Sequence, residues 1–165
     1  MKRIKKIAVL LLTAILLLHL SGCGMERTEV PEFTENQADF AAVAAFAQSY
    51  YPQHRKEGRD DLCLILYDSD NDSRYELKDL TNDTEPDGIT DELATSIEKI
   101  KTAGYSDLQI TEDYVAFWES ETCKYGLLRT NSPQKAIRQI RSTTYDEMEI
   151  REIGSGWYEL RLQLL

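Results

Sequence analysis

The spacing of apolar residues changes along this chain, and that change limits the folds open to it. Before Ile100, two segments place apolar residues three or four positions apart, a spacing typical of amphipathic helices. From Leu108 onward, apolar and polar residues tend to alternate, which is typical of strands with one buried face. Helices followed by clustered strands predict an α+β fold, in which two main helices pack on one face of an antiparallel sheet of about five strands.

The two helical segments have recognisable boundaries. Thr34 and Gln37 form a capping box at the start of the first segment, and Pro52 is expected to end it, because a proline disfavours helix in the residue before it. Thr90 is the expected N-cap of the second helix, and Gly104 suits the position just after its end. We assign the apolar stripes to the core: Phe40, Val43, Ala47 and Tyr50 in the first helix, and Leu93, Ile97 and Ile100 in the second.

Strand candidates are spread over the rest of the chain. Leu62–Tyr67 is a continuous apolar run, which predicts a strand buried on both faces. The other candidates are Leu108–Ile110, Tyr114–Trp118, Tyr125–Arg129, the segment around Met148 and Ile150, and Tyr158–Leu164. Ser132 and Pro133 open a short third helix. Its basic stripe of Lys135, Arg138 and Arg141 either clamps an anion or is a solvated helix face, and the second case is commoner.

The first 22 residues differ in character from the rest of the chain. Four basic residues, Lys2, Arg3, Lys5 and Lys6, precede an apolar run from Ile7 to Leu18 that only Thr13 interrupts. The run is too short to span a bilayer comfortably, because a membrane helix needs about 20 residues. A basic start followed by a short apolar core is typical of a secretory signal.

Shortly after this run, Leu20-Ser21-Gly22-Cys23 resembles the lipobox of bacterial lipoproteins. The resemblance implies that the Cys23 thiol receives a diacylglyceryl group with palmitate-type chains, and that cleavage then makes Cys23 the first residue. It implies a signal peptide over 1–22 and a lipid anchor on the extracytoplasmic face of the cell membrane. The short, polar and non-periodic segment 23–33 predicts a tether, and the helix and strand pattern predicts one α+β domain over 34–165. The alternatives are an ordinary signal peptide or a membrane helix with an incidental cysteine and, for 23–33, a first edge strand. Gly24 is compatible with hosts that have one membrane or two.

The charge of the mature part excludes one class of partner. Four of the 19 basic residues fall in the signal segment, so 15 basic residues stand against 29 acidic ones, a formal net charge of −14. Phosphate contacts need an excess of Lys and Arg, so no nucleic-acid partner is predicted. His54 is the one histidine after Cys23, which excludes sites that need two histidines.

The second half of the chain resembles small uncharacterised lipoproteins of Gram-positive-type bacteria, over roughly Ile89 to Leu162. The shared features are a helix that ends in Gly104-Tyr105, a strand that contains Tyr125-Gly126-Leu127, and a terminal strand that opens with Trp157-Tyr158. The resemblance supports the α+β prediction and implies no activity.

One acidic segment follows a calcium-loop pattern. Asp68, Asp70, Asp72 and Glu76 occupy positions 1, 3, 5 and 9 of such a loop, and Asp79 occupies position 12. Hard cations bind several oxygens from one loop, and the segment is similar to the Asp-rich calcium loops of exported bacterial proteins. Those loops have glycine where this chain has Asn71 and Ser73. A solvated acidic turn between two strands is the alternative, and the missing glycines favour it.

Two cysteines, Cys63 and Cys123, remain once Cys23 carries the lipid. An even pair of cysteines in an exported domain predicts a disulfide, and two buried free thiols are the alternative. A catalytic thiol is disfavoured, because its one candidate partner, His54, stands among basic residues.

The sequence contains no serine-nucleophile elbow, glycine-rich phosphate loop or histidine-based metal motif. The predicted function is therefore non-catalytic and needs no cofactor: a membrane-anchored domain that binds an envelope protein or another ligand of unknown identity. A weak calcium-binding surface module built on Asp68–Asp79 is one alternative. A small hydrolase that uses two carboxylates is the other, since 29 acidic residues offer many pairs.

Overall fold

The computed structural model describes residues 31–68, 75–119, 125–141 and 147–163, which form three helices and one antiparallel sheet of seven strands. The helices are α1 (Pro31–His54), α2 (Asp91–Thr102) and α3 (Pro133–Arg141). The strands are β1 (Leu62–Asp68), β2 (Tyr75–Asp79), β3 (Tyr105–Ile110), β4 (Tyr114–Glu119), β5 (Tyr125–Thr130), β6 (Glu147–Gly154) and β7 (Trp157–Gln163). Their order across the sheet is β2-β1-β3-β4-β5-β7-β6.

The α+β class with an antiparallel sheet is confirmed, but the predicted number of about five strands is wrong, because the sheet has seven. The strand that the sequence pattern does not predict is β2. It lies at one edge of the sheet, where its neighbouring strand is β1. Among the described side chains of β2, the one apolar residue in the core is Leu77, flanked by Glu76 and Lys78. Charged side chains are common on edge strands, so the alternation that predicts a strand is weak here.

Helices cover different parts of the two sheet faces. On one face, α1 and α2 pack against β1–β4 around Phe40, which is fully buried. On the other face, α3 packs its buried Ala136 and Ile140 into a second cluster that includes Trp118 and Leu160. The two main helices therefore share one face as predicted, and the predicted third helix covers the opposite face.

The first helix begins earlier and ends later than the sequence predicts. It starts at Pro31, and Phe33, which the sequence analysis placed in the tether, is 4% exposed, with its ring centroid 5.0 Å from that of Trp157. The folded domain therefore includes Phe33, because this aromatic side chain joins the core. Pro52 does not end the helix: one missing N–H in the last turn is tolerated, and the Arg55 N–H still donates to the Tyr51 carbonyl at 3.0 Å.

The second helix follows its prediction closely. The Leu93 N–H donates to the Thr90 hydroxyl oxygen at 3.3 Å, which confirms Thr90 as the N-cap. Gly104 follows the helix with a φ of +99°, a left-handed conformation that glycine adopts without strain. In the first helix, the four residues assigned to the core stripe are all buried.

The segment before Pro31, including Cys23, lies outside the described residues, so the signal peptide and the lipid attachment site stay predictions. Within the described ranges, no helix is both long enough and apolar enough to cross a membrane.

Candidate functional site

The acidic segment that predicted a calcium loop belongs to a hairpin. Asp68 ends β1 and pairs with Tyr75, which begins β2. Asp70 and Asp72 lie outside the described residues, and so does the side chain of Asp68. Of the five predicted calcium ligands, only the side chains of Glu76 and Asp79 can be placed.

These two carboxylates lie on opposite faces of the sheet, because they are three positions apart on a strand whose side chains alternate. Asp79 shares the helix-covered face with Leu77, whereas Glu76 lies opposite Tyr67 on the other face. The side chains of Glu76 and Asp79 therefore point away from each other. Among the described residues, no three His, Cys, Asp or Glu side chains are placed to hold a metal ion, and calcium binding by the rest of the hairpin stays a prediction.

Asp79 is a buried structural carboxylate with no exposed surface. Its Oδ1 accepts hydrogen bonds from the N–H groups of Thr81 and Asn82, at 2.8 and 3.0 Å. Its Oδ2 accepts from the Asn82 amide at 2.7 Å and from the Tyr50 hydroxyl at 3.2 Å. Because that amide also donates to the His54 carbonyl at 2.8 Å, Asp79 joins the end of β2 to the last turns of α1.

A cleft of about 260 Å³ opens beside the edge strand β2. It is lined by Glu76, Leu77, Glu85, Pro86, Ile89, Ala94 and Ile97, which come from β2, the segment after it and the first turns of α2. The deepest of these side chains, Leu77 and Ile97, are each 1% exposed, whereas Glu85 is exposed. Because β2 is the edge strand, residues from both of its faces line the cleft, which combines an apolar floor with two glutamates at its mouth.

The two carboxylates of the cleft, Glu76 and Glu85, both raise the pKa of the Tyr67 hydroxyl. The Tyr67 hydroxyl donates to Glu76 Oε2 at 2.9 Å. This hydrogen bond is the main cause that raises the pKa of Tyr67 to about 12, and Glu85 raises it further through its charge and a hydrogen bond. The negative charges of Glu76 and Glu85 therefore both act on the Tyr67 hydroxyl.

Most of the basic stripe on α3 makes contacts within the domain. Lys135 Nζ lies 2.8 Å from an oxygen of Asp113, and Arg141 Nη2 donates to the Met148 carbonyl at 3.2 Å. Two of the three basic side chains therefore serve contacts within the domain, and the third, Arg138, is exposed. The solvated-face interpretation fits this arrangement.

Cys63 is a free thiol in the structure, and the disulfide between Cys63 and Cys123 stays a prediction. Cys123 itself lies outside the described residues.

We predict that Cys63 reacts slowly in the folded protein. Burial, with smaller contributions from the charges of Asp107 and Asp61, raises the pKa of the Cys63 thiol to about 11, so little thiolate exists at neutral pH. Alkylation by iodoacetamide at pH 7.5, followed by peptide mass spectrometry, should label Cys63 at least tenfold faster in urea than in buffer, since one pKa unit corresponds to about tenfold in thiolate. A disulfide-linked Cys63 peptide in a non-reducing map would contradict the free thiol.

The same raised pKa predicts a pH dependence of stability. Between pH 9 and 11 the unfolded chain has lost the thiol proton that the folded chain still binds. The free energy of unfolding should therefore fall as the pH rises through this range, and the fall should be smaller in Cys63→Ser.

No protein-family model matches this chain, and neither a curated protein nor a solved structure is significantly similar to it.

Proposed function

We propose that this protein is a lipid-anchored binding domain on the extracytoplasmic face of the membrane, and that the cleft beside β2 is its binding site. The observation that carries the binding role is the cleft itself, which has an apolar floor of Leu77 and Ile97 and the carboxylates of Glu76 and Glu85 at its mouth. Binding sites typically combine an apolar lining with a few polar groups in this way.

The proposed anchor would hold the cleft close to the membrane. Cys23 precedes the start of α1 at Pro31 by eight residues, which span at most about 28 Å when fully extended. The net charge of −14 would keep the domain away from anionic headgroups, leaving its surface accessible to other molecules. This arrangement suits a domain that binds a partner near the membrane.

The alternatives have less support from the described residues. The calcium alternative lacks support from one of its predicted ligands, Asp79, because the carboxylate oxygens of Asp79 already accept four hydrogen bonds inside the domain. Its other ligands would have to come from the hairpin between β1 and β2. We therefore rank the binding domain above the calcium module.

The anchor is tested with Cys23→Ala. The substitution removes the thiol to which the lipid would be attached, so the protein should leave the membrane fraction or remain unprocessed, with the mass of the precursor. Fractionation, immunoblotting and intact-mass measurement compare it with the natural chain, and Cys63→Ala serves as the matched cysteine control. A Cys23→Ala protein with normal mature mass and normal membrane partition would contradict the proposal.

A further inference from the structure

We infer that the cleft beside β2 binds an alkylammonium group, such as the side chain of a lysine in a partner polypeptide. This inference rests on the binding role proposed above. It is carried by three features of the cleft: its apolar floor, the charges at its mouth and its size.

The floor suits an aliphatic chain. Leu77 from β2 and Ile97 from α2 form its deepest part, and Ile89 and Ala94 are half-buried beside them. The methylene groups of a lysine side chain lie readily on such apolar surface while the charged end remains near water. An ion that lacks an apolar stem would leave this floor unused.

The mouth suits a cation. Among the described residues, neither Glu76 nor Glu85 forms an ion pair. The nearby Lys78 is engaged by Asp83, with Nζ 2.7 Å from the carboxylate oxygen. A bound ammonium would donate charge-assisted hydrogen bonds to these two carboxylates, whose charges also raise the pKa of Tyr67.

The size suits a single side chain. The volume of about 260 Å³ lies below the range of about 300 to 1,000 Å³ that is typical of pockets for drug-sized ligands. A slender aliphatic amine fits this space, and a large ring system does not. The cleft would therefore hold one residue of a partner, with the remainder of the partner outside it.

The test measures binding of small probes to the full-length protein in detergent micelles by ligand-observed NMR. The probes are Nα-acetyl-lysine methylamide, 1,5-diaminopentane, a guanidinium analogue of the same length, hexanol and hexanoate. We expect millimolar binding of the two ammonium probes, weaker binding of hexanol and none of hexanoate. Tighter binding of the lysine amide than of the diamine would indicate a polypeptide source, and the reverse would indicate a free amine.

Two variants and one control locate the site. The double variant Glu76→Gln/Glu85→Gln should weaken ammonium binding about tenfold, equivalent to ~1.4 kcal/mol. Ala94→Phe fills the cleft and should abolish binding. Glu98→Gln/Glu112→Gln removes the same charge from exposed positions that do not line the cleft, so it should change the affinity less than twofold. Thermal unfolding of each variant checks that the domain stays folded.

The outcomes separate the inference from the proposed function. Equal weakening in both double variants would show general attraction to an acidic domain and would overturn the inference. Binding of hexanol or hexanoate that Ala94→Phe blocks, without preference for ammonium, would overturn the inference and leave the binding role standing. Failure of every probe to bind would contradict the proposed use of the cleft as well.

Discussion

Replacing Asp79 with alanine should lower the free energy of unfolding by about 4 kcal/mol, because the substitution leaves buried donors without acceptors. The donors are the N–H groups of Thr81 and Asn82, the Asn82 amide and the Tyr50 hydroxyl. The loss would also detach the end of β2 from the last turns of α1. Urea denaturation followed by far-UV circular dichroism measures the change.

The matched control is Asp83→Asn, four residues further along the same segment. Asp83 forms one ion pair with Lys78, and its side chain is 83% exposed. Asparagine tolerates the φ of +56° at this position, and surface ion pairs contribute little, so we expect a change within about 0.5 kcal/mol. An Asp79→Ala protein within about 1 kcal/mol of the natural chain would show that its hydrogen bonds are dispensable.

Gly126→Ala should be the second severe substitution, with a loss of about 3 kcal/mol through overpacking. A Cβ at this position would lie 2.6 Å from Trp118 Cε3 and 2.8 Å from the Phe117 carbonyl oxygen. The carbonyl belongs to the paired strand β4 and cannot move without breaking the ladder, and the Trp118 ring is held in the core under α3. The sheet therefore cannot accommodate the methyl group without a large loss of stability.

The control for this prediction is Gly154→Ala at the end of β6. A Cβ there would meet nothing within 4 Å, so we expect a change within about 0.5 kcal/mol. Denaturation curves should separate the two alanine variants clearly, and the emission of Trp118 should change in Gly126→Ala alone. Equal stability of the two variants would show that the Trp118 ring can move aside.

Local patterns predicted the helices well because their evidence lies within a few residues. The hydroxyl of Thr90 and the spacing of Ile97 and Ile100 act within one or two helical turns, and both features appear in the structure as expected. The boundary of α1 was less predictable. Phe33 joins the helix and the core because Trp157, 124 positions later in the chain, provides the surface on which it packs.

Burial of the strands depended on what covers each sheet face. Leu62–Tyr67 reads as a strand buried on both sides, yet Cys63, Ile65 and Tyr67 are only half-buried. The strand with both faces buried is β4, because α1 covers one face of it and α3 covers the other. A continuous apolar run cannot show which of these two positions a strand will occupy.

The candidate site was only partly visible in the sequence. The sequence predicts Glu76 as a calcium ligand, but in the structure its carboxylate accepts from Tyr67 and it lines the same cleft as Glu85. The cleft exists because α2 returns to the edge of β2 and places Ala94 and Ile97 beside Leu77. These residues are distant from one another in the chain, and no spacing rule joins them.

The amino-acid order alone predicts a signal segment with the lipobox-like Leu20–Cys23, and it determines the net charge of −14 after residue 22 and the α+β class. Each of these depends on composition or on spacing within a single element. Contacts between elements account for the rest. Asp79 looks like a ligand in the sequence and is a buried acceptor in the fold, since the alternation of side chains along β2 turns it towards Tyr50. Glu159 is likewise a charged residue that the alternation along β7 predicts on the solvated face. It is buried in the structure, because Arg151 and Arg161 form ion pairs with it at 2.8 and 3.2 Å. A carboxylate's role follows from the donors that surround it, and those donors come together only when distant segments pack.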